Sequence, residues 1–440
     1  MGLTGRRCTS IREREFPRRF LPPAHPAAAR PTRPLRLGAR GPGPARYPTV
    51  PPVQICHLAK YYPPARGGIE SHVQTLARLQ AAAKMRVQVI AIEHRDGGVP
   101  GLRWEDDQGV QVARVTPRLR LNHAQWSPEM NAWLRHEMTA DIVHLHLPNP
   151  SMQIAWLLAR PAGALIVTHH SDIIRQRWLH IPLAPLERAT LARAAAILAS
   201  SPNYIRHSPL LRRFAGKTMV LPLGAQLAPF LQPNAAARAW SQRLRAEQGE
   251  PLWLFVGRLV YYKGLDTAIR ALAHCPGKLL IIGTGPLEAR LRRLARRSGV
   301  ETRVIWAGQV EEDFLAGAYA AATAFWFPSH ARSEGFGLVQ IEAMASGCPL
   351  INAGIAGSGV NWVSPHEESG LTVPAKDPGA LAAAALRLWQ DGELRRQLGA
   401  RGRERAQREF TQEIMAQRVL QCYWQALAEK EKRPAAGDPS

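Results

Sequence analysis

The sequence predicts an α/β protein built from two doubly wound domains that face a central cleft. Three observations carry that expectation. Short apolar runs rich in β-branched residues alternate with helix-period segments twice over, first from Val53 to Leu223 and then from Trp253 to Val373. The runs are continuously apolar rather than alternating, as in parallel strands covered on both faces. At 440 residues the chain also exceeds what one core usually holds, so two domains of roughly 150–200 residues are expected.

Residues 1–50 come first and stand apart. They hold eleven Arg against two Glu, nine of the chain's 23 net positive charges, together with many Pro. No periodic apolar face and no apolar signal-peptide core appear there, so a disordered Arg/Pro-rich tail is expected, with an over-long start site as its source. Mass spectrometry of the native protein tests this: a chain that begins near Tyr47 supports it, and one that begins at Met1 dismisses it. The N-terminal domain is expected over 51–230, with strands at Val53–Leu58, Val87–Ile92, Ile142–Leu147, Ala164–Thr168, Ala196–Ala199 and Met219–Leu223. In its first helix Ile69, Val73, Leu76 and Leu79 fall on one stripe, the spacing of a packed helix. Ala225–Glu250, with Pro229, Pro233 and Gly249, reads as a loosely patterned linker.

The C-terminal domain is expected over 231–410. Its strands are Trp253–Val256, Leu279–Ile282, Val304–Ala307, Ala324–Phe327, Leu350–Ile351 and Leu371–Val373, and its helices include Leu265–Ala273, Leu287–Arg297, Asp313–Ala322 and Leu338–Ala345. A last charged helix over 411–432 is expected to pack back toward the N-terminal domain. Phe314–Ser329 is apolar but shorter than the roughly 20 residues a bilayer-crossing helix needs. It reads as a helix running into a buried strand.

With 46% hydrophobic and 21% charged residues, the chain is globular rather than disordered. Its five cysteines are dispersed, without a C-x-x-C pair or zinc spacing, which points to a reducing, cytoplasmic setting without disulfides or a structural metal. The net charge of +23 attracts polyanions. No basic-aromatic motif accompanies it, so no specific nucleic acid is expected. Peripheral contact with an anionic membrane is preferred to a merely solvated surface.

Four segments at strand ends carry the chemistry. Ser333-Glu334-Gly335-Phe336-Gly337 leads into the helix that bears Glu342. Backbone N–H groups of such a loop cradle a diphosphate at a helix N-terminus, and acceptor-only carboxylates suit sugar and ribose hydroxyls. Arg258 and Lys263 follow the first strand of the second half and suit phosphate oxygens. The Tyr61–Gly68 turn and the Thr168-His169-His170-Ser171-Asp172 segment end two strands of the first half.

Taken in order, these segments resemble the family-four retaining glycosyltransferases, from Val53 to about Tyr423. Ile282–Pro286, Ala307-Gly308, Ser201–Tyr204 and Gly370–Pro374 add to the resemblance. It implies the GT-B fold, a nucleotide-diphosphate sugar as donor (GDP- or UDP-linked), no cofactor and no divalent metal. It also implies a glycan or lipid-linked acceptor. By the same resemblance Glu334 binds the transferred sugar and Glu342 the ribose, Arg258 and Lys263 hold the diphosphate, and Gly67 and Gly68 approach donor phosphate and acceptor. His170 stands near the donor sugar, while His169 is structural. Main-chain groups of Gly335, Phe336, Gly337 and Leu338 hold phosphates and sugar, and Gly308 and Val310 lie at the base. Pro222-Leu-Gly-Ala-Gln226 departs from the family pattern, with Gln226 where an acid is common. Ser358–Trp362 and His170–Ile173 resemble mannosyltransferase-like enzymes of surface-polysaccharide synthesis.

Other readings compete. A catalytically silent sugar-nucleotide-binding or scaffold protein fits the fold but not the complete set Arg258, Lys263, Glu334 and Glu342. An epimerase of the same architecture would convert donor without acceptor. A nicotinamide site at Gly283-Thr-Gly285 lacks the third glycine. A glycosidase-like carboxylate pair is set aside, because the resemblance assigns Glu334 and Glu342 to separate hydroxyls. Arg290, Arg292, Arg293, Arg296 and Arg297 read as a solvated helix face.

Overall fold

The computed structural model describes residues 53–65, 67–94, 101–121, 124–171 and 177–432. The tail of residues 1–50, together with Arg66 and Asp172, lies outside the described residues.

The first half contains β1 (Gln54–Ala59), β2 (Arg86–Ile92), β3 (Gly101–Asp107), β4 (Val110–Thr116), β5 (Leu119–Leu121), β6 (Ala124–Trp126), β7 (Ile142–Leu147), β8 (Ala164–His169), β9 (Ala196–Ala199) and β10 (Thr218–Val220). Eight of these form one sheet in the order β10-β9-β8-β7-β1-β2-β4-β3, while β5 and β6 make a separate hairpin. The second half contains β11 (Leu252–Val256), β12 (Lys278–Ile282), β13 (Val304–Gly308), β14 (Ala324–Phe327), β15 (Leu350–Ala353) and β16 (Gly370–Val373). They form a parallel sheet in the order β13-β12-β11-β14-β15-β16.

The expected pair of doubly wound α/β domains is therefore present. Each sheet carries one apolar cluster on each face, which is why its strands read as unbroken apolar runs. Strand order reverses between β1 and β7, and again between β11 and β14. Crevices open beyond the carboxyl ends of strands at such switch points, where α/β sheets bind ligands. Every candidate segment of the sequence leaves one of these central strands, except His170, which follows the adjacent β8, and Gly308–Val310, which follows edge strand β13.

The helix Gly68–Ala82 buries His72, Val73, Leu76, Ala77 and Gln80. The expected stripe holds at its centre, with Val73 and Leu76 fully buried, and thins at Ile69 and Leu79, which are only partly covered. The last helix, Gln412–Lys432, sends Met415, Val419, Cys422 and Tyr423 into the same apolar cluster. The chain thus crosses between the halves twice, and the crossings are joined: Ala225 N–H donates to Phe410 O (3.0 Å) and Gln412 N–H to Ala225 O (3.1 Å).

Two sequence expectations are corrected here. The stretch 225–250 is not an irregular linker. It holds the helices Ala228–Leu231 and Ala235–Gln248, the longer of which packs on Glu312–Ala321 of the C-terminal half. Asn234 caps it by accepting from Ala237 N–H (2.9 Å). The N-terminal sheet is also not wholly parallel, because β3 and β4 form an antiparallel hairpin at its edge. Gln108 (φ 56°) and Gly109 (φ 85°) make its two-residue turn, the positive-φ connection that suits strand twist. At this edge the strand is only partly covered, so Leu102–Asp107 is largely polar instead of apolar. Cys56, Cys275, Cys348 and Cys422 are buried and free.

Candidate functional site

The C-terminal half builds its side of the cleft from the loops after β11 and β14. Beyond β11 the chain turns through Gly257 and a short 3-10 turn, Tyr261–Lys263, to Gly264 (φ 68°), which begins the helix Leu265–Leu272. A Cβ on Gly264 would stand 2.0 Å from Pro328 O, so only glycine lets this loop lie against the one that leaves β14. That close approach sets Lys263 Nζ 2.6 Å from Glu334 Oε2. Ser329 Oγ donates to the same carboxylate oxygen (3.2 Å). The ammonium also lies over the rings of Tyr262 (5.6 Å) and Phe327 (5.3 Å). A cation and an anion thus face each other in a partly desolvated mouth.

The Glu334 loop is fixed from behind. Ser358 Oγ donates to Glu334 O, and Gly359 N–H donates to Gly335 O (2.8 Å). Gly337 (φ 78°) then starts the helix Leu338–Ala345, its backbone pressed so close to Phe327 that a Cβ would meet the ring at 2.8 Å. Phe336 is buried, and Leu338 and Val310 are half-buried against the same apolar cluster. On this helix Glu342 accepts from Tyr319 OH (3.0 Å). Burial raises the Glu342 carboxyl to about 7, which the Tyr319 hydroxyl opposes and the Glu312 charge reinforces. Gly308 (φ 67°), at the end of β13, has open space where a side chain would begin.

The N-terminal half contributes a cluster that sequence reasoning missed. His57 from β1, His144 and His146 from β7, His72 from the first helix and His170 after β8 are packed ring against ring. Their hydrogen bonds run in one direction. With the Gln80 amide oxygen facing His57 Nε2 (2.8 Å), that nitrogen donates, so His57 Nδ1 accepts from His146 Nε2 (3.1 Å). His146 Nδ1 then accepts from His170 Nε2 (3.3 Å). On the other side of Gln80, its amide donates to Tyr423 OH (3.4 Å), Tyr423 OH to His144 Nδ1 (2.6 Å), and His144 Nε2 to Thr168 Oγ1 (2.6 Å). Burial favours the neutral form of every ring in this cluster. Burial lowers His57 and His72 to about 4 and holds His144, His146 and His170 well below the usual histidine range, with repulsion from neighbouring rings adding to it for all but His57.

The two sides meet at His170. A Cβ on Gly335 would lie 3.4 Å from His170 O, which places the Glu334 loop directly across from the histidine. Nearby, Arg332 donates to His207 O (3.4 Å) and Gly359 packs on Ser201. The structure therefore pairs Lys263 with Glu334 and sets the neighbouring Gly335 against the main chain of His170, whose ring turns into the histidine cluster. Arg258 is exposed two residues beyond β11. Gly67 and Gly68 are exposed at the start of the first helix, and among the described residues they share no recorded contact with the Lys263–Glu334 pair. His169 turns elsewhere, its Nδ1 2.6 Å from Tyr204 OH. Among the helix arginines, Arg292 is not simply solvated: it bonds Glu288 and lies over Trp306 (4.6 Å). A usable signal for the missed cluster was the pair His144 and His146, two polar residues on one face of an otherwise apolar strand.

Comparison with known proteins follows the same division. Residues 67–224 match the family described as Glycosyl transferase 4-like domain, and residues 237–405 the one described as Glycosyl transferases group 1. O-antigen chain mannosyltransferase C of Escherichia coli is 30% identical over 383 residues, 86% of this chain and 100% of that protein. D-rhamnosyltransferase WbpZ of Pseudomonas aeruginosa is 35% identical over 273 residues, 62% of this chain and 70% of that protein. Among solved structures, sucrose-phosphate synthase from Thermosynechococcus elongatus is similar with a TM-score of 0.69 and 28% identity, covering 86% of this chain and 100% of that one.

Proposed function

The chain belongs to the group 1 glycosyl transferases of GT-B fold, and from that membership we propose a retaining, metal-independent hexosyltransferase. It moves a mannose-like sugar from a GDP- or UDP-linked donor to a glycan or lipid-linked acceptor. The likeness to an O-antigen mannosyltransferase supports the choice of sugar and a role in surface-polysaccharide synthesis.

The observation that carries the reading is the Lys263–Glu334 pair at 2.6 Å, opposite His170. Donor binding separates the two: Lys263, with Arg258, takes the diphosphate, and Glu334 accepts from hydroxyls of the sugar. Glu342 accepts from the ribose, while Gly308 and Val310 border the base. Main-chain groups of Gly335, Phe336, Gly337 and Leu338, and the Gly67-Gly68 turn across the cleft, approach phosphates and acceptor. His170 contacts the donor sugar. In the reaction the bond from the anomeric carbon to the diphosphate breaks and the acceptor oxygen joins the same face. The acceptor's proton passes to the departing diphosphate. The protein supplies positioning and fixed positive charge where negative charge develops.

We place the enzyme in the cytoplasm, at the inner face of an anionic membrane, a setting supported by the net charge of +23. No helix among the described residues is long and apolar enough to cross a membrane.

A thermal-shift panel of GDP-, UDP- and ADP-sugars tests the donor, and product analysis tests retention. Glu334→Ala is expected to abolish transfer while nucleotide affinity persists. Full turnover in that variant, or indifference to every sugar nucleotide, overturns the proposal.

A further inference from the structure

The buried histidine cluster contains one member that its hydrogen-bond chain leaves out. His72 is only 5% exposed, yet neither ring nitrogen has a hydrogen-bond partner. Buried polar groups in native folds are paired, so an unpaired imidazole requires an explanation. Its ring stands edge-on to His170 (centroids 5.0 Å apart) and to His146 (5.8 Å). One nitrogen from each of His72, His146 and His170 lies within 4.8 Å of the other two.

We propose that His72, His146 and His170 form a binding site for a transition-metal ion of the zinc type, and that its occupancy inhibits transfer. Three imidazoles without a carboxylate select zinc, copper or nickel over magnesium or calcium. Tetrahedral zinc with Zn–N bonds of about 2.0–2.1 Å sets its ligand atoms roughly 3.3 Å apart. His146 Nδ1 and His170 Nε2 already stand 3.3 Å apart, so their spacing fits; both rings tilt to aim their nitrogens at the ion, and His72 swings inward. The metal replaces the proton shared by those two nitrogens, and His170 carries its proton on Nδ1 instead. Water completes the fourth position.

The surroundings suit this role. The outer nitrogen of His146 stays bonded to His57 (3.1 Å), which is itself anchored on Gln80 (2.8 Å). Outer partners of this kind fix the tautomer and orientation of a ligating imidazole. The neighbouring triad His57, His144 and His146 also has ligand spacing. There, however, His57 and His144 already use both ring nitrogens, and a metal would have to break those bonds. Inhibition rests on the reading of His170 given above, since a ligated His170 is withdrawn from the donor sugar.

Titration of the full-length protein with Co2+, read by its visible absorption, is expected to show a tetrahedral nitrogen site at one equivalent that Zn2+ displaces. His72→Gln should weaken Zn2+ binding by at least about tenfold, while replacing the exposed His207 and His274 by Ala should leave it unchanged. Absence of Co2+ binding by the wild type, or unaltered affinity in His72→Gln, overturns the site. If His72→Gln fails to fold, X-ray absorption on the Zn2+-loaded wild type decides. Three imidazole nitrogens support the site, and a shell of oxygen or sulfur ligands overturns it. Metal binding that leaves turnover intact keeps the site but overturns the inhibitory role, and with it the placing of His170 at the donor sugar.

Discussion

Lys263 Nζ lies 2.6 Å from Glu334 Oε2, with the two side chains only 12% and 10% exposed. The pair joins the loops after β11 and β14, on either side of the point where strand order reverses. If donor binds as proposed, its two halves take different duties, and their removal should be felt differently. Lys263→Ala takes away positive charge where the leaving group forms, and a loss of about 10²–10³-fold in kcat/KM is expected. Steady-state kinetics with saturating acceptor measure it. A change within about threefold would show that Lys263 serves the ion pair alone.

Glu342 supplies a pH dependence. Its carboxyl titrates at about 7, raised mainly by burial, whereas acceptance from a ribose diol requires the ionised form. Donor affinity should therefore fall as pH drops below about 7, approaching tenfold per unit. Glu342→Gln should bind more weakly throughout and lose this dependence. Stability moves in the opposite sense. The folded pKa is raised, so the group's contribution is fully present below the unfolded value of 4.5 and is lost as pH climbs to about 7. Nucleotide titrations and urea denaturation between pH 5 and pH 8 check both signs.

Gly264 and Gly308 have nearly the same backbone angle, φ 68° and 67°, but different neighbours. An added Cβ at Gly264 meets Pro328 O at 2.0 Å, while at Gly308 nothing lies within 4 Å. Gly308→Ala should cost only the left-handed penalty of about 1–2 kcal/mol. Gly264→Ala should cost more, roughly 3 kcal/mol or above, because backbone obstructs it and cannot rotate away. Equal losses in chemical denaturation would mean that the loops after β11 and β14 do not touch as closely as described.

The sequence was legible where a local pattern and a tertiary fact coincide. Leu252–Val256 and Ala324–Phe327 are apolar throughout because both sheet faces are covered, and the loops that follow them carry Lys263 and Glu334. Ala235–Gln248 was obscured by Pro229, Pro233 and Gly249 around it, although its own composition favours a helix. The histidine chain was harder to see. Gln80 and Tyr423 are separated by 343 residues; the last helix is expected to return toward the N-terminal half, but no local pattern sets Tyr423 beside Gln80 of the first helix. His144 and His146 sit in a strand whose other members are apolar, and their partners exist only once the sheet has formed.

Tyr423 offers the sharpest test of that chain. Its hydroxyl accepts from Gln80 and donates to His144 Nδ1, all inside the protein. Tyr423→Phe keeps the ring but leaves the His144 nitrogen and the Gln80 amide without partners, for an expected loss of about 1–3 kcal/mol in urea denaturation. Gln80→Leu is the informative companion, since it removes the acceptor that sets the tautomer of His57, His146 and His170 in turn. If the chain orients His170, Gln80→Leu should lower kcat with nucleotide affinity retained, while Tyr423→Phe, which leaves the His57–Gln80 bond in place, should lower stability with kcat nearly intact. Nitrogen-15 spectra of the histidine rings should show changed tautomers in the first variant and a change confined to His144 in the second. Equal effects of the two on kcat would mean that the cluster acts only as packing.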